Sequence, residues 1–498
     1  MEHRPFWDDL EVVVAHDPYL LEYPPPGDAP FDPQLSYPEY AGPIVDRSNG
    51  VYSAVRDFLR LLGRDEPHFG TPQWNPLRGI IEPGMRVTLK PNLVADCVRP
   101  GADLSALFTS MSVVRPLIDY VRTALHGEGR ITLGDAPIQR TDWNNLLHVS
   151  GMGSLVDALN RRQGVPIELL DFRREVTARN SLGTVIHREH RDGIDYVEVD
   201  LGTSSTLMPI IEAAHRFRVS QYDPSALLRN HSAERNRYMI HRRVLEADVV
   251  VNVPKLKLHK KAGMTCSLKN LVGINCGKDW LPHYQIGDYE TRAGDQYATK
   301  SRLREIYTRL CDAVEVGTFA KRHAAAVLSK GIRGLMRLDG GDLSCEGNWY
   351  GNDTTWRMVH DLNLILCYAD AEGRMTDRPQ RRVLNFVDGI IGGERDSPLQ
   401  PTAHPAGILM AGTNPLAVDF VAATVMGLDP GKVPLLRDAW NVPAGWSLPP
   451  HGGCPDRIRV RFQEHGQIEH LDLPQLAERI HLRQRDANVL VVEFVEEV

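Results

Sequence analysis

Six of the eleven lysines in this 498-residue chain fall between positions 255 and 278, a stretch without arginine, although arginine outnumbers lysine 46 to 11 overall. If each basic position chose lysine at the chain-wide rate, six in succession would arise about 5 times in 100,000, so the segment selects for lysine. Two kinds of chemistry prefer it. A compact ammonium is a point charge for phosphate or carboxylate, and lysine alone of the two can lose its proton and act as base or nucleophile. Lys255, Lys257 and Lys269 lie among polar hydrogen-bonding groups, Asn252, Ser267 and Asn270, whereas Lys260 and Lys261 read as solvated loop positions. His259 in the same stretch is an acid/base or metal-ligand candidate.

These residues need elements to hold them. Asp248-Val-Val-Val-Asn-Val253 has the continuous apolarity of a strand buried on both faces, so Lys255 and Lys257 follow its carboxyl end, the edge where open α/β sheets bind ligands. A helix starting near Thr265 would aim free N–H groups at that edge as an anion cradle. Asp135 and Asp388 also follow strand patterns, 130–133 and 382–387, and come to the same edge as metal-binding or acid/base carboxylates. Asp419 near the start of a helix reads as a cap or dipole partner. Glu394 and Asp396 sit in a Gly392-Gly393 loop expected to close over substrate. Trp349 and Trp356 bracket a loop whose aromatics suit stacking on a ring or packing into the core.

Strand patterns at 85–90, 130–133, 166–171, 248–253, 382–387 and 407–411 alternate with helical ones at 113–125, 145–161, 302–338, 356–368 and 416–426. This grammar predicts an α/β fold, mostly parallel (Rossmann-like) sheets with helices on both faces. An irregular Pro-rich arm and a helix occupy 1–83. The α/β body spans 84–430, with two lobes at about 84–240 and 241–430 as one division. Residues 431–498 form an extension of short edge strands, 458–462 and 489–495.

With 57 basic and 64 acidic residues the formal charge is −7, which argues against a general nucleic-acid binder and makes any positive patch local. The apolar stretch 406–428 is interrupted by Asn414, Pro415 and Asp419 and reads as strand then helix, not a membrane span. The N-terminus lacks a signal-peptide pattern, so the cytoplasm is the expected location. Seven scattered cysteines form no CxxC pair and no CxxCxxC cluster motif. Gly151-Met152-Gly153 lacks the third glycine of a dinucleotide fingerprint and no GxxxxGK[ST] occurs, so neither NAD nor ATP has support.

The string Asp248-Val-Val-Val-Asn-Val-Pro-Lys-Leu-Lys-Leu-His259, continued by Ser267-Leu-Lys-Asn-Leu-Val-Gly273, resembles the hallmark of the DUF362 family. Leu89-Lys90-Pro91-Asn92-Leu93-Val94, Gly134-Asp135-Ala136-Pro137, Val387-Asp388-Gly389-Ile390 and Ala411-Gly412-Thr413-Asn414-Pro415 agree in the right order, over about residues 84–430. Many members append a ferredoxin-like cluster domain, and its cysteine pattern is not in this sequence. The family is in turn similar to the nickel-pincer lactate racemase group, where a lysine ten residues after a histidine carries the covalent cofactor and a later histidine ligates the metal. Here Lys269 follows His259 by ten and His283 lies fourteen beyond, while Thr265 and Ser267 replace that group's doubly Gly-rich turn.

The resulting expectation is an enzyme that binds a small anionic substrate. Lys90, Asn92, Asn252, Lys255, Lys257, Ser267, Asn270 and Asn414 bind it, His259, Lys269 and Asp388 do acid/base work of isomerase or epimerase type, and Asp135 with His283 holds a divalent metal. A redox protein with an assembled iron–sulfur or other cofactor, and a non-catalytic binder of a phosphorylated sugar or polysaccharide precursor, are the alternatives. A homo-oligomer is compatible with the composition.

Overall fold

The computed structural model describes residues 6–98, 102–191, 193, 195–338, 346–441, 446–449 and 453–480. At its centre is one eleven-stranded sheet. Its strands are β1 (Glu11–His16), β2 (Arg86–Pro91), β3 (Arg130–Asp135), β4 (Ile167–Asp171), β5 (Val249–Val253), β6 (Lys255–His259), β7 (Gly263–Thr265), β8 (Arg382–Glu394), β9 (Thr402–Gly412), β10 (Arg459–Glu464) and β11 (Gln467–Leu471). The order is β11-β10-β1-β9-β8-β5-β2-β3-β4, with β6 on β8 and β7 on β6. The run β8-β5-β2-β3-β4 is parallel throughout, and β9 enters antiparallel between β8 and β1.

Alternation along each strand builds two cores. Val249, Val251 and Val253 face a layer with the helices Gly50–Leu61 and Met111–Leu125, while Val250 faces the layer of Thr355–Tyr368 and Pro415–Val425. Helices thus cover both faces, as continuously apolar strands require. Asn414 starts the last of these helices, its side chain accepting the N–H groups of Leu416 and Ala417 ahead of Pro415.

Several expectations change. The first 83 residues are not only an arm: β1 sits inside the sheet, pairing Val12 with Gly412 on one side and Glu11 with Arg459 on the other. One sheet therefore draws strands from all three segments of the chain. The helix expected over 145–161 is two, Trp143–Val149 and Met152–Asn160, broken at Gly151 with φ +73°. The Gly392-Gly393 loop is strand: β8 continues to Glu394, pairing Gly393 with Ala403. Gly393 is small because β6 passes close by; a Cβ there would lie 2.7 Å from that of Lys257. The expected strand 489–495 lies outside the described residues.

Candidate functional site

A cavity of about 510 Å³ opens at the carboxyl ends of β2 and β3, walled by β6 and by the turns that follow β7. The floor is rigid. Lys90, fully buried at the end of β2, donates to Asp135 Oδ1 at 2.8 Å, to the Pro91 carbonyl and to Asn270 Oδ1. Asp135 in turn accepts the N–H groups of Leu93 and Ala136. From Asn270 an amide ladder crosses the sheet: Asn270 Nδ2 donates to Asn252 Oδ1, Asn252 Nδ2 to Asn385 Oδ1, and Asn385 Nδ2 to the Gly412 carbonyl. Asn252 also donates to the Ser267 carbonyl. Every member has a partner, the condition under which a buried polar network is stable.

The helix expected from Thr265 is one turn, Ser267–Asn270, preceded by β7. Its free N–H groups do not face a ligand. Those of Ser267 and Leu268 donate to the Asp419 carboxylate at 2.7 and 3.0 Å, so the anion cradle is filled from within. Asp419 is a cap, as expected, but of a distant turn. Burial pushes its carboxyl up to about 7.

Above this floor the walls are cationic. Lys257, Lys261, Lys269 and Lys278 line the cavity with Lys90, and all five are buried. Lys257 donates to the Leu107 carbonyl, Lys278 to that of Val272 at 2.7 Å, and Lys261 to Ser220 Oγ at 3.3 Å. Lys261 is therefore a wall residue and not the solvated loop position expected, because the turn at 260–262 folds back under Tyr284, with the ammonium 5.1 Å from its ring centroid. Lys260 does point outward, paired with Asp396 at 2.6 Å. Lys269 has no hydrogen-bond or ion-pair partner in the protein among the described residues. Burial, then the charges of Lys278, Lys261 and Lys90, push its ammonium down to about 7. Lys278 is pushed down to about 7 as well, chiefly by burial.

The two histidines carry opposite assignments. His259 Nδ1 accepts the Lys261 backbone N–H, so in the neutral ring the proton is on Nε2. His283 Nδ1 lies 2.7 Å from the Leu281 carbonyl and must donate, which leaves the Nε2 lone pair free. Burial and the neighbouring lysines push both well below the usual range, so both are neutral at pH 7. One ring presents a donor and the other a base. Asn92 Oδ1 is buried without a partner on the same cavity.

Eight of the thirteen residues assigned from sequence as binding, catalytic or metal-holding groups meet here: Lys90, Asn92, Asp135, Lys257, His259, Lys269, Asn270 and His283. The others do not line the cavity. Asn252 and Ser267 lie in the floor, and Asn414 is a helix cap that also donates to the Trp7 and Leu448 carbonyls. Asp388 and Lys255 form a separate buried cluster. Asp388 accepts from Tyr23 Oη at 2.5 Å, from the Ser110 N–H at 2.9 Å and from Lys255 at 3.2 Å, and Lys255 also donates to Tyr23 Oη at 2.6 Å. Tyr23 comes from the Pro-rich arm, a role no local pattern announces. Trp356 is core and Trp349 donates to the Asp295 carbonyl, so neither faces the cavity. Lys278 was legible in the lysine bias.

The residues do not fit a divalent ion at Asp135 and His283. Both Asp135 oxygens are occupied by N–H donors, His259 Nδ1 is engaged, and five lysines repel a cation. Among the described residues no three His, Cys, Asp or Glu side chains converge on a metal-sized centre.

Ile138, Ser220, Arg333, Glu346, Leu399 and Gln400 are shared with a second cavity of about 1070 Å³, so the two are confluent. Residues 87–201 and 208–424, which include the whole lysine cluster, match the domain of unknown function DUF362. The chain belongs to the DUF362 family. No curated protein matches this DUF362 chain. A crystal structure of a Thermotoga maritima protein is similar at 11% identity with a TM-score of 0.29, over 72% of this chain and 53% of that one. The DUF362 chain thus spans about half the length of that structure.

Proposed function

We propose that this DUF362 protein is an enzyme that binds a small carboxylate- or phosphate-bearing molecule in the lysine cavity and moves a proton at a carbon next to a carboxylate or carbonyl, as an isomerase or epimerase does. The observation that carries this reading is Lys269: a buried amine without a hydrogen-bond or ion-pair partner among the described residues, brought near neutrality by its burial and then by the cations around it. Such an amine is half deprotonated at pH 7 and suited to general-base work. Epimerisation needs a base on each side of the carbon, and His283 Nε2, on the lining of the same cavity as Lys269, is the second in this reading. The proton leaves carbon for one base, electron density moves to the substrate oxygen, and the other base's conjugate acid returns a proton to the opposite face. The His259 Nε2–H and the flanking ammonium groups offset the oxyanion charge that develops.

The test is a thermal-shift screen of carboxylated and phosphorylated metabolites, followed by NMR of each stabilising ligand in D₂O. The reading expects deuterium to enter next to the carboxylate or carbonyl, and Lys269→Met and His283→Gln to stop it. Binding without exchange for every such ligand would leave a binding protein. The similarity to the lactate racemase group would put a covalent group on Lys269, which intact mass of the purified chain reads directly.

A further inference from the structure

Beside its cations the lysine cavity holds neutral polar groups that the protein itself leaves unanswered. Asn92 follows β2, Thr265 ends β7 and Ser397 lies between β8 and β9, so three segments remote in sequence bring them to one lining. Asn92 is 9% exposed, Thr265 3% and Ser397 1%. Asn92 Oδ1 and Ser397 Oγ have no hydrogen-bond partner, and no described residue hydrogen-bonds the Thr265 hydroxyl. Thr265 is the antiparallel partner of Lys257, so its side chain leaves the same face as that wall lysine. Buried polar groups are nearly always paired, and three exceptions on one cavity call for a common partner.

The cations set the charge of that partner. Lys90 is neutralised by Asp135, but Lys257, Lys261 and Lys278, besides the base Lys269, have no carboxylate partner among the described residues. A carboxylate would bring one negative charge, whereas a phosphate monoester brings about −1.5 to −2 and three acceptor oxygens. The lysines therefore favour phosphate. Phosphate oxygens accept, however, and so does Asn92 Oδ1, so the same ligand must also bring donors. An ammonium donor would be repelled by the lysines. A hydroxyl both donates and accepts, and so answers the Asn92 amide and the Thr265 and Ser397 hydroxyls alike.

We infer that the substrate is a phosphorylated polyol, a sugar phosphate or its reduced form, whose phosphate the unpaired lysines neutralise and whose hydroxyls Asn92, Thr265 and Ser397 read. The inference rests on the anion site proposed above and narrows it to one substrate class. The cavity of about 510 Å³ is of the size that takes a small ligand, and a sugar phosphate in its open form has the carbonyl next to which Lys269 and His283 would move a proton.

Titration calorimetry of the full chain tests it, comparing the terminal phosphates of ribose, ribitol, glucose and sorbitol with n-hexyl phosphate, inorganic phosphate and gluconate. At least one polyol phosphate is expected to bind about tenfold or more tighter than n-hexyl phosphate, which lacks the hydroxyls. Asn92→Leu and Ser397→Ala should each lower the ratio of polyol-phosphate to inorganic-phosphate affinity about fivefold. Ser397→Ala removes a single atom and keeps the comparison open if Asn92→Leu does not fold. Polyol phosphates that bind no tighter than n-hexyl phosphate, or a ratio that neither variant changes, overturn the inference. So does gluconate binding more tightly than every phosphate, since the anion read would then be a carboxylate. Tight polyol-phosphate binding without deuterium exchange would uphold this substrate class and remove the enzymatic reading, while exchange confined to anions without hydroxyls would do the reverse.

Discussion

The lysine cavity makes the stability of the protein depend on pH in a direction opposite to that of most surfaces. Lys269 and Lys278 hold their protons below about pH 7 in the folded chain, but as ordinary lysines near 10.5 when unfolded. Between those values the unfolded state binds more protons, so stability must rise with pH and is lost as pH falls toward the folded values. Each lysine contributes up to about 1.4 kcal/mol per pH unit. Burial lowers Lys90, Lys255, Lys257 and Lys261 as well, which adds in the same sense. Asp419, raised to about 7, works the other way but is spent once it is ionised in both states. The buried thiols Cys266, Cys276 and Cys367, raised above their ordinary 9.0, oppose only as unfolded thiols begin to ionise. From about pH 7.5 to about pH 8.5 the two lysines together give about 2–3 kcal/mol of added stability. Urea denaturation in that window measures it. Lys269→Met should remove about 1 kcal/mol of the rise and be more stable than wild type at the lower pH. Saturating inorganic phosphate should flatten the slope by restoring the ammonium. A flat or falling profile, or one that Lys269→Met leaves unchanged, refutes the reasoning.

Gly273→Ala should destabilise by about 3–5 kcal/mol, read by urea denaturation, because its Cβ would sit 1.8 Å from Asp135 Oδ1 and 2.5 Å from Lys90 Nζ and so part a buried ion pair; a loss below about 1 kcal/mol would mean the pair moves aside. Tyr23→Phe strips an acceptor from Lys255 and the Ile391 N–H and a donor from Asp388, at about 1–3 kcal/mol, and hydrogen exchange should show faster amides around Tyr23, with unchanged protection counting against the cluster. Asp419→Asn leaves one of the Ser267 and Leu268 N–H groups facing an amide N–H₂, so the turn carrying Lys269 shifts and phosphate-induced stabilisation falls, an effect absent if the turn is held by the asparagine ladder alone.

The parallel half of the sheet was legible because Val249–Val253 and Val383–Val387 are apolar on both faces and end at punctuation, Pro254 and Gly389. The lysine cavity was legible from residue choice alone, since only a buried or reactive setting distinguishes Lys269 from an arginine. Other parts depended on partners remote in sequence. Gly392-Gly393 looks like a loop until β9 pairs with it, and β1, in a segment read as an irregular arm, pairs only with strands some 400 residues on, at Gly412 and Arg459. Asp388 reads as a site carboxylate by position at a strand end, yet Tyr23, 365 residues away, claims one of its oxygens. His259 and His283 are alike in sequence; only their backbone neighbours, Lys261 N–H and Leu281 C=O, set one as donor and the other as acceptor.

The place of β1 has a consequence for how the protein is made. Val12 emerges from the ribosome with nothing to pair with, since Gly412 follows 400 residues later and Arg459 later still. At about 5–20 residues per second that is a delay of roughly 20–80 s, during which a Val-Val-Val segment with both edges open is exposed to other nascent chains. The parallel strands can assemble meanwhile, but the sheet's far third waits for this one strand to be captured between partners that close on it from both sides. Aggregation of the protein in cells should therefore respond to translation speed and to holdase chaperones more than its final stability suggests, and a polar residue at Val13 that spares the paired backbone would report it.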